Sequence, residues 1–254
     1  MGVKTLVREN KAFFILHTLL LLLGSYPLVV FEKVSLFLQL NKLHHSFLDR
    51  FFYHLTFLGS STMYALFMAT LIVIRLNNRT LLAGICSFVA MSAIVQGMKR
   101  IVFFDQLRPI ALVPTEVSLH LVEGIVPDTH LSFPSGHAAT IFTALCFMHF
   151  LVTQKSVWFC GLSLFGAVVV AYTRVYLCQH FYQDIYAGAW VGTWTTTLVY
   201  GVLMNWQGPA WLDQRLPAPL FAKGKHKTPW LLLAWCSAIK ALFLAFSIKK
   251  TCSM

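Results

Sequence analysis

The sequence contains few charged residues, and acidic residues are especially scarce. Only 11% of its 254 residues are charged, whereas about 25% is usual for a soluble domain. Such a chain has too little polar surface to cover a water-exposed globule, which excludes an ordinary soluble protein. The 20 Lys and Arg residues outnumber the 9 Asp and Glu residues and give a formal net charge of +11. With so little polar surface, we expect this excess to orient helices in a membrane or to bind anions, and we expect no nucleic acid partner.

The sequence also lacks the residue spacing of a disulfide framework or a metal site. Its six cysteines include no Cys-x-x-Cys pair, and four of them lie within apolar runs. Cysteines in such positions behave as small buried hydrophobic residues. The acidic residues of the longest polar segment show no metal-ligand spacing, and we interpret them as a solvated loop: Asp105, Glu116, Glu123 and Asp128.

Long apolar runs are abundant in the sequence. Six approach the ~20 residues that a helix needs to cross the bilayer core: Ala12–Phe31, Phe51–Ile74, Thr80–Met98, Ser135–Val152, Val157–Leu177 and Ile185–Met204. A further run, Trp230–Ile248, is either a seventh span or a helix on the membrane surface. Gly188 and Gly192 form a GxxxG pair, which predicts close approach of a neighbouring helix. We therefore predict an all-α polytopic bundle of six transmembrane helices over residues 1–206, followed by a basic tail and an apolar helix over 207–254.

The basic residues between these runs predict the orientation of the bundle, because cytoplasmic loops carry the excess of Lys and Arg. Ten lie on one side, which we assign to the cytoplasm: Lys4, Arg8, Lys11, Arg75, Arg79, Lys155, Arg215, Lys223, Lys225 and Lys227. Seven lie on the opposite side: Lys33, Lys42, Arg50, Lys99, Arg100, Arg108 and Arg174. The excess of positive charge on the cytoplasmic side becomes clear only if some of the seven outer cations do not serve as orientation signals.

Three clusters of chemically useful residues fall at the outer ends of predicted spans. They are Lys99, Arg100, Arg108 and Pro109; then Pro134, Ser135, Gly136 and His137; then Arg174, His180 and Asp184. Ser135 is a good helix N-cap, and the first amides of the helix after it form a ready anion site. Each cluster alone has an ordinary explanation, such as a capped helix start or an interfacial ion pair. Together they offer cations, free amides and two histidines to one compartment, which is what phosphoryl transfer needs.

The third cluster also has the spacing of an oriented base or nucleophile. His180 and Asp184 are four residues apart, so on a helix they share one face. A carboxylate bound to one imidazole nitrogen fixes the tautomer and leaves the other nitrogen free to react. Arg174, six residues before His180, would supply the planar donors that recognise phosphate.

These motifs resemble those of the type-2 phosphatidic acid phosphatases (PAP2), the membrane branch of the superfamily that includes vanadium haloperoxidases. Pro134-Ser135-Gly136-His137 stands intact, and Arg174, His180 and Asp184 keep the family spacing. The first motif departs from the pattern, because eight residues rather than six separate Lys99 from Arg108. Either Lys99 or Arg100 fills that role, and we favour Lys99 because it matches the family residue type. The other departure is Thr173 in place of Ser, which keeps the hydroxyl.

The resemblance implies a mechanism and a set of residue roles. His180 would attack phosphorus to give a phosphohistidine, Asp184 would orient it, and His137 would protonate the leaving oxygen and then activate water. Groups that would hold the phosphate oxygens are Lys99, Arg108 and Arg174 with the amides near Ser135 and Gly136. Positive side chains then take the role that metal ions play elsewhere, so we expect no metal and no cofactor.

The resemblance also implies the substrate class and the location. We expect hydrolysis of a phosphate monoester or pyrophosphate on a membrane lipid, such as phosphatidic acid, phosphatidylglycerol phosphate, undecaprenyl pyrophosphate or lipid A phosphate. We expect a bacterial inner membrane, with the site facing the periplasm. A phosphotransferase would use the same residues, so the sequence leaves that alternative open. A non-catalytic lipid-phosphate binder or transporter is disfavoured, because His137, His180 and Asp184 are all present.

Overall fold

The chain folds into a helical bundle in a computed structural model that describes residues 2–152 and 156–215. Within those residues there is no β-strand, as the all-α prediction requires. The predicted seventh apolar run Trp230–Ile248, most of the 207–254 tail and four of the predicted cytoplasmic cations (Lys155, Lys223, Lys225 and Lys227) lie outside the described residues. The α-helices are α1 (Val3–Glu9), α2 (Lys11–Val30), α3 (Lys33–Asn41), α4 (Ser46–Leu55), α5 (Ser61–Val73), α6 (Asn78–Gly97), α7 (Pro109–Leu112), α8 (Gly136–Leu151), α9 (Val157–Tyr176) and α10 (Tyr182–Asn205).

Three described helices are long and apolar enough to cross a membrane: α2, α9, and α6 with its continuation to Val102. A fourth span is present if Ser46–Gly59 and α5 count as one, although they are bent by 57°. Helix α8 has only 16 residues. Helix α10 has 24 but does not reach the same apolarity, because its inward side carries several threonines. The six predicted spans are therefore not confirmed.

The predicted second span is interrupted near its middle. The 3-10 turn Thr56–Gly59 follows α4, and Ser60 then adopts an extended conformation. The Ser60 side chain accepts a hydrogen bond from the Met63 amide at 3.2 Å, which makes it the N-cap of α5. The prediction of one continuous helix from Phe51 to Ile74 is therefore wrong, because a capping serine starts a new helix there.

Helix α10 lies at the centre of the bundle and packs closely against α8. A Cβ atom at Gly188 would lie 2.6 Å from the Ser135 carbonyl oxygen, and one at Gly192 would lie 2.3 Å from the Ala139 carbonyl oxygen. Only glycine permits such backbone contact. The close approach predicted from the GxxxG pair is confirmed, and it holds the start of α8 against the start of α10.

The two ends of the bundle differ in their chemistry. At one end, Arg79 of α6 pairs with Asp213 at 2.7 Å and donates to the Leu203 and Trp206 carbonyls at the end of α10. Helix α6 runs antiparallel to α8 and α10. The C-terminus of α6 and the N-termini of α8 and α10 therefore lie together at the opposite end of the bundle. All three predicted clusters lie at that opposite end.

Candidate active site

Four chain segments bring the predicted site residues together. They are the turn after α6 with Lys99, the start of α8 with His137, the end of α9 with Arg174, and the start of α10 with Asp184. A fifth segment, at the start of α7, contributes Arg108. The charges of Arg108, Arg174 and Asp184 act electrostatically on both Lys99 and His180, which places these groups in one cluster. His137 interacts in the same way with Arg174 and His180. Residues separated by up to 85 positions along the chain thus share one site.

His180 and Asp184 form the pair expected from their spacing. Nδ1 of His180 lies 3.4 Å from Oδ2 of Asp184, and both side chains are buried. The same carboxylate oxygen accepts hydrogen bonds from the Phe181 amide at 2.9 Å and from the Ser132 hydroxyl. These donors hold the carboxylate in its ionised form and fix its direction. With Nδ1 donating to Asp184, Nε2 of His180 is the nitrogen that can react.

A tight turn sets the position of His180 after α9. The carbonyl oxygen of Arg174 accepts hydrogen bonds from the amides of Gln179 and His180, at 2.9 Å and 3.1 Å. Cys178 reverses the chain with a φ of 55°, in the left-handed region. Burial lowers the pKa of His180 to about 3, although the Asp184 carboxylate opposes this shift. The imidazole is therefore neutral at physiological pH, which is the form that acts as a nucleophile.

The start of α8 is held against two other elements. The Ser135 amide donates to the Asp184 backbone carbonyl at 2.9 Å, and the Ser135 side chain accepts from the Ala138 amide at 3.4 Å. The predicted N-cap is therefore confirmed. On the other side, a Cβ at Gly59 would lie 2.9 Å from the His137 carbonyl oxygen, so the Thr56–Gly59 turn also contacts this helix start. His137 is thereby fixed between α10 and the Thr56–Gly59 turn.

Two buried cations lie in the cluster without a carboxylate ion pair among the described residues. Lys99 is 7% exposed, and its Nζ donates to the carbonyl oxygens of Leu131 and Ser132. Arg174 is 8% exposed, and it donates from one terminal nitrogen to the Thr56 hydroxyl at 2.9 Å. Its Nε is buried without a hydrogen-bond partner. Buried charges are normally paired with a charge of opposite sign, so this cluster favours the binding of an anion.

The structure places Lys99 and Arg100 in different environments. Residues Met98–Val102 form a π turn, closed by the Phe103 amide donating to the Met98 carbonyl at 2.8 Å. This turn carries Lys99 inward, whereas Arg100 is exposed and donates to Gln96 of α6 at 3.3 Å. The structure therefore brings Lys99 into the cluster and leaves Arg100 outside it.

Several residues that contact the cluster were not predicted from the sequence pattern. Thr56 binds Arg174, Ser132 binds Asp184, and Gln179 accepts from Arg108 at 2.8 Å. Asp128, interpreted above as part of a solvated loop, is indeed exposed but pairs with Arg108 at 3.3 Å. Only Gln179 had a usable signal, its position next to His180. Among the described residues, no group of three or more His, Cys, Asp or Glu side chains is arranged to hold a metal ion.

Comparison with known proteins identifies the family. A family model described as the PAP2 superfamily matches residues 101–207. An undecaprenyl-diphosphatase from Sulfolobus acidocaldarius is 30% identical over 187 residues, which cover 73% of this chain and 85% of that protein. The chain belongs to the PAP2 superfamily. The resemblance inferred from the three motifs is thereby confirmed, and the family model spans every candidate residue except Lys99 and Arg100.

Two solved structures of PAP2 proteins have the same fold. LpxE from Aquifex aeolicus aligns with a TM-score of 0.56 at 26% identity, over 67% of this chain and 96% of its own. A transmembrane PAP2-type phosphatidylglycerolphosphate phosphatase from Bacillus subtilis aligns with a TM-score of 0.52 at 19% identity, over 76% and 95%. The second likeness concerns the fold alone. These relatives and the apolar helices indicate an integral membrane protein.

Proposed function

We propose that this PAP2 protein hydrolyses a phosphate monoester or pyrophosphate on a membrane lipid through a phosphohistidine at His180. One observation supports the proposal above all others. Lys99 and Arg174 are buried cations without a carboxylate ion pair among the described residues, and they lie beside a neutral histidine oriented by Asp184. A dianionic phosphate would satisfy both cations and place its phosphorus near Nε2 of His180.

The first chemical step forms a bond between Nε2 of His180 and phosphorus, and the bond from phosphorus to the lipid oxygen breaks. Burial and the neighbouring cations lower the pKa of His137 in the empty site, and the negative charge of a bound phosphate opposes this shift, so His137 enters the step protonated. It donates that proton to the departing oxygen, so that an alcohol or a lipid phosphate leaves. Asp184 stabilises the positive charge that develops on the imidazole of His180. Lys99, Arg108 and Arg174, with the amides near Ser135 and Gly136, bind the non-bridging oxygens.

The second step regenerates the enzyme. His137 removes a proton from a water molecule as that water attacks phosphorus, and the bond from Nε2 of His180 to phosphorus breaks. Inorganic phosphate is the product. Negative charge that develops on the phosphate oxygens faces a cation or a backbone amide, and positive charge on His180 faces Asp184, so this cycle needs only water and the protein's own groups.

The proposed class of substrate follows from the position of the site at one end of an apolar bundle. A lipid phosphate can reach the cluster with its tail still in the bilayer. Candidate substrates are phosphatidic acid, phosphatidylglycerol phosphate, undecaprenyl pyrophosphate and lipid A phosphate; named relatives act on the undecaprenyl and phosphatidylglycerol compounds. We propose a six-span arrangement in an inner membrane with the site facing the periplasm.

The test compares the purified protein with two variants in detergent, using these four lipids with a chelator present. We expect the wild type to release phosphate and His180→Ala to release none. His130→Ala is the matched control, because His130 is exposed and its ring contacts only the Thr129 hydroxyl in the described structure. Rapid acid-free quenching with labelled substrate should trap phosphate on the wild type. Full activity in His180→Ala would eliminate the nucleophile assignment.

A further inference from the structure

Arg108 is held by two segments of the chain, residues 126–130 and the turn that precedes His180. Its backbone amide donates to the Thr129 carbonyl at 2.9 Å, and its Nε donates to the His130 carbonyl at 3.0 Å. One terminal nitrogen donates to the backbone and side-chain oxygens of Gln179, at 3.3 Å and 2.8 Å. Most of the guanidinium donors are therefore engaged by fixed protein oxygens before any substrate arrives.

The remaining terminal nitrogen of Arg108 contacts a carboxylate. It lies 3.3 Å from Oδ2 of Asp128, whose side chain is 73% exposed, whereas that of Arg108 is 11% exposed. Burial lowers the pKa of Arg108, and the charge of Asp128 opposes that shift. A carboxylate and a phosphate offer the same kind of anionic oxygen to guanidinium. Asp128 thus forms an ion pair, although no hydrogen bond, with the terminal nitrogen that remains for a phosphate oxygen.

Arg108 differs in this respect from the other two cations of the site. Lys99 binds only backbone carbonyls, and Arg174 binds the Thr56 hydroxyl and keeps a buried Nε without a partner. Within the described part of the chain, Arg108 is thus the one phosphate-site cation with a carboxylate already in place. Because Asp128 is exposed, its side chain can swing into solvent without disturbing any buried packing.

We propose that Asp128 is a specificity-determining residue that competes with phosphate for Arg108. Any phosphate that enters must displace the carboxylate, and this lowers its affinity. A lipid phosphate also gains binding energy from its tail in the membrane, so it still binds. Free inorganic phosphate has no such contribution, so it binds less tightly to the empty site and leaves more readily as product. This inference rests on the proposed function, because it assumes that Arg108 binds substrate phosphate.

The segment that carries Asp128 is also connected to the nucleophile. The side-chain nitrogen Nε2 of Gln179 donates to the Val126 carbonyl at 3.4 Å, and Gln179 directly precedes His180. Displacement of Asp128 therefore leaves Gln179 and the Thr129 and His130 carbonyls bound to Arg108. The guanidinium keeps its orientation while its anionic partner is exchanged.

The test is the binding of inorganic phosphate and orthovanadate to the full chain in detergent, measured by calorimetry and as inhibition of lipid hydrolysis. We expect Asp128→Asn to bind both anions about two- to fivefold more tightly, the range for an exposed ion pair. The gain should shrink at high salt. Asp128→Glu should restore weaker binding. The matched control is Asp105→Asn, which removes an exposed charge from the same loop where Asp105 contacts only Gln106.

Unchanged or weaker anion binding in Asp128→Asn would overturn the inference. An equal gain in Asp105→Asn would overturn it too, because the effect would then be general electrostatics. The proposed function fails separately, if the wild type hydrolyses no lipid phosphate. The calorimetric comparison does not require turnover, so it still decides the role of Asp128 in that case. Absence of anion binding in every variant would also overturn the inference, whereas lipid hydrolysis by the wild type would still support the proposed function.

Discussion

Replacing Lys99 and Arg100 one at a time by methionine tests which basic residue of the first motif acts on phosphate. Methionine keeps the length and apolar stem of lysine and removes only the charge. Lys99 is buried, donates to the Leu131 and Ser132 carbonyls, and shares the cluster with Arg108 and Arg174. Arg100 is exposed and contacts Gln96, away from the cluster.

The expected magnitudes follow from these environments. Removing one preorganised donor from a developing oxyanion costs about 10²- to 10³-fold in kcat, or roughly 2.7–4 kcal/mol. Lys99→Met should show a loss of that size. Arg100→Met should stay within about fivefold, because an exposed side chain outside the site contributes at most ~1 kcal/mol.

The assay is initial-rate phosphate release from the best substrate of the four lipids, normalised to folded protein. Folded protein is measured by thermal unfolding in the same detergent, because Lys99→Met also leaves two carbonyl oxygens without their donor. An equal or larger loss in Arg100→Met than in Lys99→Met would refute the geometric assignment. It would mean that Arg100 turns inward when phosphate binds.

Two further predictions concern packing and pH. Gly192→Ala places a Cβ 2.3 Å from the Ala139 carbonyl and should destabilise the protein by about 1–3 kcal/mol. Its thermal midpoint and activity should both fall, while Gly161→Ala, which has no atom within 4 Å of its added Cβ, should resemble the wild type. The pKa of His180 is about 3 in the folded protein and about 6.5 when unfolded. Between these pH values the imidazole is protonated in the unfolded chain and neutral in the folded protein, so protonation favours unfolding. Thermal stability should therefore fall from about pH 7 to about pH 4, and less steeply in His180→Gln; equal slopes would contradict the buried neutral imidazole.

Local sequence patterns were sufficient for several helices and for the family. Apolar runs predicted α2, α6 and α9, and the GxxxG pair predicted the contact between α10 and α8, because each depends on spacing along a single segment. The intact second and third motifs predicted the family, which the comparisons confirm. Ser135 as an N-cap was likewise readable from residue type and position alone.

The tertiary structure decided the features that depend on contacts between distant segments. The π turn after α6 turned Lys99 inward and left Arg100 outside, a difference of one residue that hydrophobic periodicity does not resolve. The break at Ser60 depends on one hydrogen bond inside an otherwise apolar run.

The partners of the candidate site residues are also contacts between distant segments. Thr56 lies 118 residues from Arg174, and Ser132 lies 52 residues from Asp184. Asp128 has the composition of a solvated loop residue, and only its 3.3 Å contact with Arg108 shows it to be part of the site. The sequence by itself therefore determined which residues could do the chemistry. Folding determined which groups hold, orient and compete with them, because those contacts exist only when separate helices meet.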